Sequence, residues 1–245
     1  MTETTPHFAP IVVLLFLGTL FLIGVSVLVL LYGAVRRSKR FAAIGGTAVL
    51  TIVSCYLLLL CGVSLASSEK VVPQGGWKYF CEIDCHIGYS VSGMQTAAII
   101  GPEGQGAVAH GQFVIVPLKV WFNENTISPT RGDGPLMPNA RRVVLVDASG
   151  RMYTRSTEAE AELARVKREE LPLRRALRPG QSFVKDLVFD IPRHASGLRL
   201  LITEDDPETR LIIGHENSLL HKKIYLGFDS AQNITSKINP LAATK

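Results

Sequence analysis

The chain has 245 residues, 47% of them hydrophobic, with 26 Lys+Arg against 21 Asp+Glu and a formal charge of +5. Four of those cations, Arg36, Arg37, Lys39 and Arg40, crowd into one short stretch, and the rest of the chain is close to neutral. That balance excludes the broad basic surface a nucleic-acid partner needs.

Residues 1–10 carry no Lys or Arg and read as a short extracytoplasmic N-terminus. Ile11 to Val35 and Phe41 to Ala66 are free of charge, and each exceeds the roughly 20 apolar residues that cross a ~30 Å hydrocarbon core. The spacing predicts transmembrane helices over 11–35 and 41–66. The loop 36–40 is rich in cations, which marks it as cytoplasmic. Everything after Ala66 is then expected on the periplasmic side of a cell inner membrane, with the protein anchored as a multi-pass hairpin. Residues 36–66 also have the outline of a signal peptide, ending at Ser64-Leu65-Ala66, and Ile52 to Cys55 resembles a lipidation box. The apolar run is longer than a signal core and a span precedes it, so an uncleaved anchor is expected.

Residues 67–76 read as a flexible linker. From Trp77 to Val91 apolar and polar residues alternate, with Phe80 the exception, and the pattern predicts one long strand whose buried side carries Trp77, Tyr79, Cys81, Ile83, Cys85, Ile87 and Tyr89. Residues 101–111 read as a loop and 112–125 as a second strand, with Pro117 suggesting an edge or a bulge. Residues 141–154 predict a hairpin that turns at Asp147 to Gly150. Thr157 to Glu170 predicts a helix with a Thr157/Glu160 capping box, acidic residues early and basic residues late, ended by Pro172. Its apolar face is slight, so it is expected to be a solvated surface insertion. Residues 177–192 predict a turn and then a strand alternating from Phe183 to Asp190, the runs 197–206 and 209–228 supply the last strands, and 229–245 reads as a flexible tail. Short strands between Gly/Pro turns, without alternating helices, predict an all-β antiparallel sandwich over 77–228.

The runs "AHGQFVIVPLKVWFNEN", "VVLVDASGRMYT" and "LRPGQSFVKDLVFDIPRHASGLRLLI" resemble bacterial membrane-anchored Ig-like domains with a telokin-like sandwich fold, an extracytoplasmic family of unknown function. The matching features are a strand ending in Asn, a D-x-x-G-x-x-Y hairpin and a P-G-x-x … F-D-I-P strand. The resemblance implies turns at Gly150 and Gly180 and core positions for Tyr153 and Phe189, and it implies no active site.

Candidate chemistry is confined to Cys81, Cys85 and His86. On one strand the two cysteines would lie about 13 Å apart, beyond the ~7 Å limit for a disulfide, which leaves two buried thiols as the plain reading. A copper or zinc site using Cys81, Cys85 and His86 is the sharper one. Cys-x-x-x-Cys behind two spans is similar to the copper subunit of haem–copper oxidases, but Tyr89 and Ser92 stand where that family has its next His and Met. The spacing is also one residue longer than a haem c attachment motif. "HENSLLH" (215–221) reads as a turn whose side chains cap backbone groups. No catalytic motif and no cofactor is expected. The chain reads as a non-enzymatic interaction or scaffold protein of the bilayer and its envelope proteins, an accessory subunit of a larger membrane complex. The alternative is redox or metal handling.

Overall fold

In the computed structural model the described residues are 9–81, 86–102, 104–168, 172–204, 206–229 and 234–235. They form two compact units. One takes in two long helices and the segment Asp206–Lys223. The other takes in Lys70–Asp205 and the chain from Ile224 onward.

Helices α1 (Ala9–Val35) and α2 (Lys39–Ala66) are each long and apolar enough to cross a bilayer. Residues 36–38 reverse the chain between them. Arg37 takes a left-handed conformation (φ 54°), the Ser38 N–H bonds back to the Gly33 carbonyl at 2.8 Å, and the Arg37 N–H to Ala34 at 3.1 Å. This pair of bonds satisfies the last carbonyls of α1. The seam between the helices is made of small residues. Apart from Leu60, the buried residues among those described in α1 and α2 are Ser26, Gly33, Gly45 and Ser64. A Cβ on Gly45 would stand 2.5 Å from the Leu30 nitrogen, and one on Gly33 would stand 2.3 Å from the Ala42 nitrogen. Close backbone approach through small residues lets helices pack by dispersion alone. Phe16 and Tyr56 meet near the open end, with ring centroids 6.3 Å apart.

The second unit is β-rich and has two sheets. Its strands are β1 (Lys70–Val72), β2 (Lys78–Cys81), β3 (His86–Val91), β4 (Gln95–Ile100), β5 (Ala107–Asn123), β6 (Arg141–Val146), β7 (Met152–Thr154), β8 (Ser182–Ile191), β9 (Arg199–Glu204), β10 (Ile224–Gly227) and β11 (Ile234–Thr235). The first sheet runs β1-β10-β9-β6-β7, and the second β11-β4-β5-β3-β2 with β8 also paired to β5. β5 organises the second sheet. β8 lies along one flank of it, from Gln112 to Trp121. β3 (opposite 118–123) and β4 (opposite 107–115) share the other flank end to end.

Alternation explains the core. Val114, Val116, Leu118, Val120 and Phe122 of β5 are fully buried, and they pack with Phe80, Ile87, Tyr89, Phe183, Leu187 and Phe189 against Leu145, Leu200, Ile202 and Leu226 of the first sheet. Each such side chain taken from water contributes about 1.5–3 kcal/mol. Phe189 therefore sits in the core as its family resemblance implies. Tyr153 is half-buried against the same cluster.

Several expectations are corrected here. Within 77–91 the described residues form two antiparallel strands, β2 and β3, paired as a hairpin, and not one strand. The expected linker contains β1. Residues 95–100 are a strand, and β5 begins at Ala107, inside the expected loop. Pro117 lies in a strand paired on both sides. It falls where β5 passes from β3, last paired at Leu118, to β4, first paired at Ile115, so the ladder on that flank is already interrupted. Residues 209–223 are not strand. They are a 3₁₀ turn (Pro207–Leu211) followed by turns. Within 215–221 side chains do cap backbone groups: the Asn217 N–H donates to His215 Nδ1 at 3.0 Å, and the Ser218 hydroxyl donates to the Ile212 carbonyl.

Helix α3 (Thr157–Lys167) forms where expected, but its cap is Ser156, whose Oγ accepts from the Ala159 N–H at 3.3 Å. Glu160 is not a capping-box partner. It is buried, bound by Arg155 through both oxygens (2.7 and 2.5 Å), and it accepts the Val188 N–H at 3.2 Å. The Ser156 N–H in turn donates to the Val188 carbonyl at 2.7 Å. The insertion thus covers the edge of β8 around Val188, and an uncovered edge invites unwanted strand pairing. Ala159 and Leu163 pack on Ile100, Phe113, Ile115 and Val188, so this helix is docked rather than solvated.

Candidate interaction surface

The side chains of Cys81 and His86, and all of Cys85, lie outside the described residues. The backbone nevertheless changes the premise on which they were read. β2 ends at Cys81, β3 begins at His86, and these two are Cα partners across the hairpin. The 13 Å separation along one strand therefore does not apply. Among the described residues, no three His, Cys, Asp or Glu side chains stand together as a metal site. Cys55 and Cys61 are free thiols on α2.

The hairpin also reverses which residues face inward. In β3 the odd positions Ile87, Tyr89 and Val91 are core, as the alternation predicts. In β2 the even positions are interior: Phe80 joins the core and Lys78 is 1% exposed. The Lys78 ammonium donates to the carbonyls of Ile202 (2.6 Å) and Ile224 (2.9 Å) on the facing sheet and lies 5.1 Å from the centre of the Phe80 ring. The Arg141 guanidinium covers the same ring at 4.3 Å and pairs with Glu204 at 3.0 Å. Phe80, the one break in the alternation of 77–91, was the signal for this change of phase.

The inversion places aromatic residues on the outer face of the second sheet. The odd residues of β5 point outward. At one end Phe113 and Ile115 are covered by α3. At the other, Trp121 and Lys119 are left without a covering helix. Register puts Gly88 opposite both Trp121 and Tyr79. The Trp77 and Trp121 rings meet at 5.1 Å, the Trp77 and Tyr79 rings at 6.4 Å, and the Lys119 ammonium stands 5.6 Å over Trp77. Gly88 is the floor of this group, since a Cβ there would come within 2.9 Å of the Trp77 ring. Asn123 donates from Nδ2 to the Tyr79 hydroxyl at 3.4 Å. Both tryptophans are partly buried, Tyr79 is buried, and Val184, opposite Lys119, is 48% exposed. Clustered Trp and Tyr beside a long cation are the residue types that anchor protein interfaces, because they bury large rigid areas at low entropic cost.

A separate recess of about 460 Å³ is lined by Met94, Thr96, Gln112, Arg193, Leu198 and Phe228, among others. Arg193 donates from Nε to the Gly111 carbonyl at 3.1 Å. The rest of the lining mixes polar and apolar side chains, Asp229 among them. The Arg131-Gly132-Asp133 tripeptide is folded back, with Arg131 bonded to the Gly132 and Gly134 carbonyls and lying 5.0 Å from the Phe122 ring.

No family model matches the chain, and no curated protein matches it. Among solved structures it is similar to MPT63, a secreted protein from Mycobacterium tuberculosis (10% identity, TM-score 0.41, covering 66% of this chain and 99% of that one). It is also similar to a conserved hypothetical protein from Bacillus anthracis (16% identity, TM-score 0.38, covering 51% of this chain and 85% of that one).

Proposed function

We propose that α1 and α2 anchor the protein in a bacterial inner membrane, with residues 36–40 in the cytoplasm, and hold an Ig-like sandwich on the periplasmic side. The protein binds and stabilises other envelope proteins without catalysing a reaction, as an accessory subunit of a larger membrane complex. One observation carries this reading. Two helices of 27 and 28 residues expose their leucines, valines and phenylalanines almost all round, Leu14, Phe21, Leu50 and Leu58 among them, and bury a narrow seam of small residues. A core helix of a water-soluble protein buries such side chains, so a lipid surround accounts for their exposure. The uncovered Trp77–Trp121 cluster is the contact surface that this reading favours. Gentle detergent extraction followed by a native size measurement tests it. A species well above the monomer is expected, and migration solely as a monomer would overturn the complex-subunit role.

The hairpin register favours a second reading, redox or copper/zinc handling through Cys81, Cys85 and His86, because it sets Cys81 opposite His86. Metal analysis of the full-length protein separates the two. A stoichiometric soft metal supports this reading, and its absence supports the first.

A further inference from the structure

The segment Asp206–Lys223 belongs to the helical unit. Tyr56 of α2 donates its hydroxyl to the Leu211 carbonyl at 2.6 Å, and the Lys222 N–H donates to the Ser67 hydroxyl at 2.9 Å. Val63 lies 3.8 Å from where a Cβ on Gly214 would stand. Tyr56 precedes Ala66, the end of α2, by nearly three turns, so the Leu211 carbonyl reaches about 15 Å back along the helix. At that level of α2 the neighbouring Leu57, Leu58 and Leu59 are exposed. A carbonyl at that level of an apolar helix needs a donor from the protein itself, and the tyrosine hydroxyl supplies one.

The outward face of the segment has a definite make-up. The Leu219 N–H donates to the Arg210 carbonyl at 3.1 Å, which sets Arg210-Leu211 beside Leu219-Leu220. The three leucines are 40%, 48% and 61% exposed, and Leu220 holds φ at 65°, where leucine is rarely found. Exposed Arg210 and Lys222 flank them. Asp206 and Glu208 are exposed at the start of the segment. Glu216 is half-buried, its carbonyl taken by the Lys223 ammonium at 2.6 Å. Projecting leucines bordered by long cations fit the boundary between acyl chains and phosphate headgroups.

We propose that Asp206–Lys223 is an interfacial seat, with Leu211, Leu219 and Leu220 inserted among the acyl chains of the outer leaflet and Arg210 and Lys222 directed at lipid phosphates. The inference rests on reading α1 and α2 as membrane spans. The test places the photo-crosslinker p-benzoylphenylalanine singly at positions 58, 220 and 108 of the full chain, reconstituted in phosphatidylethanolamine/phosphatidylglycerol nanodiscs. Position 58 reports the span, and position 108 is an exposed site of the β unit. Lipid adducts are expected at 58 and 220, with the yield at 220 about tenfold above that at 108. An adduct at 58 with none at 220, or a protein adduct at 220, overturns the seat and leaves the anchor standing. No adduct at 58 removes the anchor, and the seat with it.

Discussion

Lys78 sets an ammonium group between two sheets, where an unpaired charge would cost several kcal/mol. The Ile202 and Ile224 carbonyls and the Phe80 ring offset that cost. Lys78→Met keeps most of the side-chain volume but removes the donor from two buried acceptors. The expected loss is about 2–3 kcal/mol, read as a lower urea midpoint in mild detergent by the fluorescence of Trp77 and Trp121. An unchanged or raised midpoint would show that apolar filling serves as well as the ammonium. Asp147 works at a turn. Its carboxylate accepts the Ser149 hydroxyl (2.6 Å), the Tyr153 hydroxyl (2.8 Å) and the N–H groups of Ser149 and Arg151 (2.9 and 3.0 Å). These bonds, the Ser149 hydroxyl foremost, outweigh desolvation and lower its pKa from 3.8 to about 2. A depressed folded-state pKa means that the stabilisation is complete above the unfolded value and is lost as pH falls through the folded one. Unfolding midpoints should therefore fall between about pH 4 and pH 2, and Asp147→Asn should flatten that slope. Parallel slopes for the two proteins would refute the assignment. Local chemistry of this kind is legible in a sequence. Asp147, Gly150 (φ 82°) and Tyr153 lie within one turn and meet as the D-x-x-G-x-x-Y spacing implies.

At the scale of elements, the helical hairpin depends on two glycines. A side chain at Gly45 meets the Leu30 backbone, which has no softer neighbour to displace. Gly45→Leu should force the helices apart at a cost of about 1–3 kcal/mol, seen as earlier thermal unfolding of the detergent-solubilised protein. Gly62, with nothing within 4 Å of its Cβ position, is the control and should tolerate alanine. If both variants melt alike, the seam is not where the helices hold. Helix α3 shows the limit of reading an element alone. Its acidic start and basic end announce a helix. Its docking is set by Val188 and Phe113, far away in sequence, so the slight apolar face looks solvated until the sheet is present.

For the whole molecule, the Trp77–Trp121 cluster should separate binding from folding. Trp121→Ala trims a partly buried ring from the outer face and leaves the buried even side of β5 intact. The proposed complex should lose at least about 2 kcal/mol of affinity, roughly thirtyfold, with little change in thermal stability. Retained association after both tryptophans are removed would move the contact elsewhere.

Two helix-length apolar runs with a basic turn between them, a β-rich remainder and the Asp147 hairpin were decided by the sequence itself, because each rests on residues within a turn or two of one another. Tertiary structure alone decided the rest. It chose the pairing of β2 with β3 that turns Lys78 and Phe80 inward and Trp77 outward, the sharing of one flank of β5 by β3 and β4, and the packing of 206–223 with α2. A period-two pattern fixes the phase of a strand only up to its next turn. Which surface completes a strand or a loop is settled by partners a hundred residues away.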